Sequence, residues 1–191
     1  MDIALIATVV SALAGAVGAL FAYPTYQQYR TRKTLEASFG QKLFGREVIK
    51  NSTRYYVQPN CSDMDPAREA EYRQVVVVKG NLLETVDDYL TSDRHHLLIL
   101  ADSGMGKTSF VLNYYVHNQD KSKSERWRLA LVPLGKPEAD DYIAQIEHKE
   151  ETVLFLDAFD EDTKAIADHR QRLHELMEAC RAFKRVVITC R

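Results

Sequence analysis

Cysteine is scarce in this sequence, and neither sign of charge is in excess. The three cysteines, Cys61, Cys180 and Cys190, are odd in number and no pair has CxxC spacing, which argues against a disulfide framework and a cysteine zinc site. Lys plus Arg is 25 and Asp plus Glu is 27. The chain therefore has no excess of basic residues that would indicate nucleic acid as a partner. Internal repeats and low-complexity segments are also lacking. The length of the chain, about 155 residues once an apolar N-terminal segment is set aside, predicts one ordinary domain with a small extra module.

The first apolar stretch of the chain has no charged residue from Ile3 to Tyr23. Its length corresponds to roughly 31 Å of helix, which matches the hydrocarbon thickness of a bilayer. Arg30, Arg32 and Lys33 follow it, whereas only Asp2 precedes it. Basic residues after the span predict that the N-terminus lies outside and the rest of the chain in the cytoplasm. A cleaved signal peptide is the alternative, but it would begin with basic residues and have a shorter apolar region.

Beyond Asp93, apolar runs alternate with helical stretches, which is typical of a parallel sheet with crossover helices. The predicted strands are Leu97–Leu100, Leu129–Val132, Val153–Leu156 and Val186–Thr189, and the predicted helices are 107–118, 138–149 and 166–182. Upstream, a short strand at Val75–Val78 and a helix over Leu82–Leu90, capped by Asn81, are predicted. We therefore expect residues 1–24 to form a membrane anchor, 25–80 a juxtamembrane linker with a small N-terminal segment, and 81–191 the folded domain.

A phosphate-binding loop follows directly on the predicted strand that ends at Leu100. Its residues, which are the candidate contacts for nucleotide, are Ala101, Asp102, Ser103, Gly104, Met105, Gly106, Lys107, Thr108 and Ser109. Small residues let the backbone N–H groups curl around phosphate oxygens, and the helix N-terminus adds a positive dipole end. Lys107 would reach the β- and γ-phosphates of ATP or ADP, and the Thr108 hydroxyl would bind Mg²⁺. Ala101 replaces the first glycine of the pattern, which is acceptable unless its φ is positive.

An apolar run ending in a carboxylate supplies the second half of the candidate site. Thr152 to Leu156 leads into Asp157, and ligands bind at the carboxyl ends of parallel strands. Asp157 is therefore expected to hold Mg²⁺ through water beside the phosphate loop. Asp160 and Glu161 are candidate catalytic residues because a carboxylate a few positions further on can polarise the attacking water. Alternatively, the acidic residues that follow Asp157 form only a solvated turn that caps a helix.

On these motifs, the chain resembles the NACHT branch of the STAND NTPases over about residues 82–191. The matching segments are 98–108, 129–134, 153–161 and 186–191. The most specific match is Ala158 after Asp157, followed by Asp160 and Glu161, and the resemblance makes Arg191 a catalytic sensor of the γ-phosphate. Ala101 and Cys190 are small departures from the family pattern. Family members continue beyond this point with a lid, a winged-helix element and usually a repeat sensor, so the resemblance implies a domain that is incomplete at Arg191.

The resemblance implies a three-layer P-loop α/β fold, preceded here by one transmembrane helix at residues 3–23. It also implies a signalling switch in immune or anti-phage defence, closed with ADP and assembled into a homo-oligomer with ATP and Mg²⁺. ATP hydrolysis is expected of the full-length protein but not of a fragment ending at Arg191. The alternatives are a conventional AAA-type ATPase or kinase, and a non-catalytic nucleotide-binding membrane scaffold. The chain has no Asn-Lys-x-Asp base-reading motif, which disfavours a GTPase.

Overall fold

The computed structural model describes residue 44 and residues 46–54, 56–62 and 80–191. The strands are β1 (Asn60–Cys61), β2 (Gly80–Asn81), β3 (His96–Leu100), β4 (Arg128–Pro133), β5 (Thr152–Asp157) and β6 (Arg185–Cys190). The α-helices are α1 (Arg46–Arg54), α2 (Leu82–Thr91), α3 (Lys107–Asp120), α4 (Ala139–Gln145), α5 (Thr163–Ala167) and α6 (His169–Ala179). Two 3₁₀ turns, Lys149–Glu151 and Phe159–Glu161, flank β5.

The four longer strands form one parallel sheet in the order β3-β6-β5-β4. The predicted parallel α/β architecture is therefore confirmed. β6, the last strand in the chain, is inserted between β3 and β5, and its Ile188 is in register with Leu98 on one side and Leu156 on the other. Because all four strands run the same way, their carboxyl ends lie along one edge of the sheet. That edge brings together the segments that begin at Ala101, Asp157 and Arg191.

Two apolar clusters cover the two faces of the sheet. In β5, which is buried at every position, Val153 and Phe155 face the cluster that contains α1, α2 and α3, whereas Leu154 and Leu156 face the cluster that contains α4, α5 and α6. This alternation follows from the two-residue period of a strand. A strand buried on both faces has a continuous apolar sequence, as Val153 to Leu156 does.

Two predicted helices are wrong in their extent. The single helix expected over 166–182 is two helices, α5 and α6, because Asp168 is extended and its side chain accepts hydrogen bonds from the N–H groups of Arg170 and Gln171. A side-chain cap of this kind starts a new helix. The helix expected over 138–149 ends at Gln145, since Ile146 is extended and His148 has a positive φ of 52°. The N-cap at Asn81 is confirmed, because its side chain accepts a hydrogen bond from Leu83 N–H.

Helix α1 lies against α3, the helix that follows the predicted phosphate loop. The amide of Asn113 donates to the Ser52 carbonyl at 2.8 Å, and the Ser109 hydroxyl contacts the Ser52 hydroxyl at 3.2 Å. The predicted membrane span at residues 3–23 and the predicted strand at Val75–Val78 lie outside the described residues. Within the described ranges, no helix combines the length and apolar character needed to cross a bilayer.

Candidate functional site

The loop between β3 and α3 has the backbone that a phosphate cradle needs. Gly104 and Gly106 have φ values of 79° and 85°, a left-handed conformation that only glycine adopts without strain. Ala101 is not among the residues with positive φ, so alanine is tolerated at that position. Ala101 N–H donates to the Cys190 carbonyl at 3.0 Å, which fixes the start of the loop to β6. The N–H groups of the first turn of α3 have no acceptors within the helix and can therefore bind an anion.

Lys107 is the first residue of α3 and folds back over the loop. Its ammonium donates to the Ala101 carbonyl at 3.0 Å and lies 3.9 Å from the Asp160 carboxylate. The Lys107 side chain is only 10% exposed. Its charge is therefore held at the centre of the loop, where phosphate oxygens would bind.

Asp157 connects the loop to the two central strands. One carboxylate oxygen accepts a hydrogen bond from the Thr108 hydroxyl at 2.6 Å, and the other accepts one from the Thr189 hydroxyl at 2.7 Å. Thr108 and Asp157 are 49 residues apart in sequence. The structure thus brings together the three residues in which the phosphate and metal chemistry was expected, namely Lys107, Thr108 and Asp157.

Asp157 is almost fully buried, and burial raises the pKa of its carboxyl above the usual value. Hydrogen bonds from Thr108 and Thr189 and the charge of Lys107 oppose this increase. A carboxylate that is desolvated, and whose burial is only partly offset by hydrogen-bond donors, is stabilised in its ionised form when a cation binds beside it. A divalent cation at this position would therefore lower the pKa of Asp157 and hold the carboxylate ionised.

The acidic turn after β5, residues 158–162, begins with a strained residue. Ala158 has φ 59° and ψ 58°, and its N–H donates to the Thr189 hydroxyl at 2.9 Å. The Asp160 carboxylate is turned toward the phosphate loop, where it lies near Lys107 and accepts a hydrogen bond from Arg191 N–H at 3.0 Å. Glu161 is turned toward Gly135, since a Cβ on that glycine would lie 3.3 Å from the Glu161 carboxylate. The two candidate catalytic carboxylates thus have different neighbours.

Two other predicted site residues make contacts that the sequence did not indicate. Arg191, the expected sensor, is exposed and contacts Asp160 through its backbone N–H. The Ser109 side chain contacts Ser52 of α1. Only the backbone N–H of Ser109 therefore lies with the free N–H groups of the first turn of α3. The remaining loop residues, from Asp102 to Gly106, are exposed at the edge of the sheet.

Sequence reasoning missed the residues that hold this site in place. Thr189 orients both Asp157 and Ala158, and a hydroxyl near the end of an otherwise apolar central strand was the available signal. Arg172 and Asp162 form a buried ion pair at 2.7 Å at the end of the acidic turn. No local pattern marks that pair, because the two residues lie on different elements.

The donor set at the edge of the sheet fits Mg²⁺ better than a transition metal. No group of three or more His, Cys, Asp or Glu side chains that could hold a metal ion occurs in the described part of the chain. The Thr108 hydroxyl and the Asp157 carboxylate are oxygen donors, and they meet beside the phosphate loop. Mg²⁺ typically keeps several waters and is bound by one or two protein oxygens together with phosphates.

Comparison of the chain with protein-family models, with curated proteins and with solved structures finds no match.

Proposed function

We propose that this chain is a membrane-anchored, ATP-binding signalling switch of the NACHT branch of the STAND NTPases, with a P-loop NTPase domain. The observation that carries the proposal is the contact between Thr108 and Asp157, at 2.6 Å across the carboxyl edge of the sheet. It supports a site in which a phosphate loop and a metal-binding carboxylate act on the same ligand. Lys107, between them, supplies the positive charge.

Each residue in this arrangement has a separate task. The N–H groups of the glycine-rich loop and of the first turn of α3 bind the phosphates. Lys107 balances the charge of the β- and γ-phosphates. To reach them it gives up its contact with the Ala101 carbonyl. Thr108 and Asp157 would hold Mg²⁺, which neutralises phosphate charge when it is bound. Asp160 faces this ligand from the side of β6.

The arrangement of the acidic turn supports a switch with slow turnover more than a fast enzyme. Hydrolysis needs a carboxylate placed so that it polarises a water in line with the γ-phosphate. Asp160 is occupied by Arg191 N–H, and Glu161 packs against Gly135. A nucleotide-driven change of state that released Asp160 from Arg191 would free this carboxylate to act as a base.

The membrane and assembly parts of the proposal rest on the sequence. The uncharged stretch over residues 3–23 would anchor the chain with its N-terminus outside and its nucleotide site in the cytoplasm. The homo-oligomer and the role in immune or anti-phage defence rest on the resemblance alone. If the homo-oligomer and the defence role are set aside, the same site supports a membrane scaffold that only binds nucleotide. Nucleotide affinity and turnover measured together separate this scaffold from the signalling switch.

The experiment that tests nucleotide binding is calorimetry on the detergent-solubilised full chain with Lys107→Ala. We expect its affinity for magnesium ATP to fall at least about tenfold, or about 1.4 kcal/mol, because the variant loses the main positive charge at the phosphates. Lys123→Ala is the matched control, since Lys123 is exposed in the turn that follows α3 at the opposite end of that helix from the loop. Equal affinities of Lys107→Ala and the parent would refute the assignment of the loop.

A further inference from the structure

Three contacts fix the acidic turn at its beginning, middle and end. Ala158 N–H donates to the Thr189 hydroxyl, the Asp160 carboxylate accepts from Arg191 N–H, and the Asp162 carboxylate accepts from Arg172. The first contact comes from β6 and the second from Arg191, the residue that follows β6 beside the phosphate loop. The third comes from α6, on the face of the sheet that α4 and α6 cover.

Arg172 has the geometry of a clamp. Its Nε donates to Asp162 at 2.7 Å, and its terminal nitrogens donate to both oxygens of Asp140 on α4, at 2.6 and 3.4 Å. The side chains of Arg172 and Asp162 are only 6% and 5% exposed. The second Asp162 oxygen accepts a hydrogen bond from Lys164 N–H and so caps α5. A guanidinium held by two carboxylates in a planar fork has little freedom, so the end of the turn is rigidly placed.

The rigid turn holds a negative charge against the phosphate loop. The Asp160 carboxylate lies 3.9 Å from the Lys107 ammonium, and both side chains are mostly shielded from solvent. At that position the carboxylate competes with phosphate for Lys107 and repels a ligand that carries no cation. Screening by water is weak for partly buried charges, so the repulsion is substantial. A bound Mg²⁺ would offset it.

We propose that Arg172 is a positioning residue that, through Asp162, holds Asp160 against Lys107 and so makes nucleotide binding depend on Mg²⁺. The inference rests on the proposed function, because it concerns the same phosphate site. Arg172 contacts neither the loop nor the expected position of the nucleotide. Its effect is transmitted along the turn from Asp162 to Asp160. The property that it controls is the ratio of nucleotide affinity with Mg²⁺ to affinity in EDTA.

The test compares Arg172→Met with the parent, using a fluorescent ATP analogue and the detergent-solubilised full chain. Release of the turn is expected to raise affinity in EDTA, so that the ratio falls at least about threefold, as expected for loss of a partly screened repulsion. Asp160→Asn should lower the ratio in the same way, and Arg172→Met should add nothing in that background. Arg170→Met is the control, because Arg170 is exposed in the first turn of the same helix.

Loss of one partner from a buried ion pair is strongly destabilising, so a second variant is needed. The double variant Arg172→Met/Asp162→Ser removes both partners of the pair, and serine keeps a side-chain oxygen that can cap α5. We expect it to lower the ratio as Arg172→Met does.

A purely structural role for Arg172 would change the affinities with and without Mg²⁺ in parallel and leave the ratio intact, which would overturn the inference. A fall in ratio that persists in the Asp160→Asn background would also overturn it. Absence of nucleotide binding by the folded parent under both conditions would refute the proposed function itself, and the inference with it.

Discussion

Replacement of Thr189 by valine should destabilise the protein far more than its size suggests. Valine has nearly the shape of threonine but no hydroxyl. Thr189 is fully buried, and its hydroxyl donates to Asp157 while it accepts from Ala158 N–H. The variant leaves one buried donor and one buried acceptor without a partner, each at a cost of about 1–3 kcal/mol. We therefore expect the free energy of unfolding to fall by about 2–6 kcal/mol, a large part of the stability of an ordinary domain.

Thr189→Ser separates the hydroxyl from the packing. It keeps both hydrogen bonds and removes one methyl group, which costs about 1 kcal/mol. Urea unfolding of the full chain in detergent is measured by the fluorescence of Trp127, the single tryptophan, which packs against the apolar cluster that contains α1, α2 and α3. Equal losses for the valine and serine variants, or a loss below about 1 kcal/mol for valine, would show that the hydroxyl does not hold the site together.

Three further outcomes are expected. Ala158→Gly should lower the free energy of unfolding by at least about 1 kcal/mol less than Ala165→Gly does in the same urea unfolding experiment, because glycine relieves the left-handed strain at Ala158 but weakens the helix at Ala165. Equal losses of stability for the two variants would contradict the strain. Asp157→Asn should raise the melting temperature of the nucleotide-free chain at neutral pH, since burial raises the pKa of this carboxyl. The folded parent takes up a proton as the pH falls through that raised pKa, so the parent gains stability and the advantage of the variant should shrink; a variant that melts below the parent at neutral pH would refute this. The intact chain should stay in the membrane pellet after a carbonate wash, whereas a chain without residues 2–33 should not; extraction of the intact chain would contradict the anchor.

The phosphate loop illustrates how much of the site is predictable from local sequence. Its chemistry depends on the backbone of adjacent residues, and the glycines at 104 and 106 have the positive φ values that the pattern requires. The continuous apolar run of β5 likewise predicted a strand buried on both faces, because the strand period and its burial are local properties. Helix ends were less predictable. The interruption at Asp168 depends on one side-chain cap, and an acidic residue on the polar side of a helix is equally compatible with an uninterrupted helix.

The sequence by itself determined the types of residue at the site and the parallel α/β architecture. Only the tertiary structure decided which of those residues meet. The position of β6 between β3 and β5 places Thr189 on Asp157, and the packing of α6 places Arg172 behind Asp162. The tertiary structure also turns Asp160 toward Lys107 and Glu161 toward Gly135. The physical reason is that hydrophobic periodicity specifies which face of an element is buried but not which element is its neighbour. Contacts between distant residues follow from strand order, and strand order is settled by the packing of the whole domain.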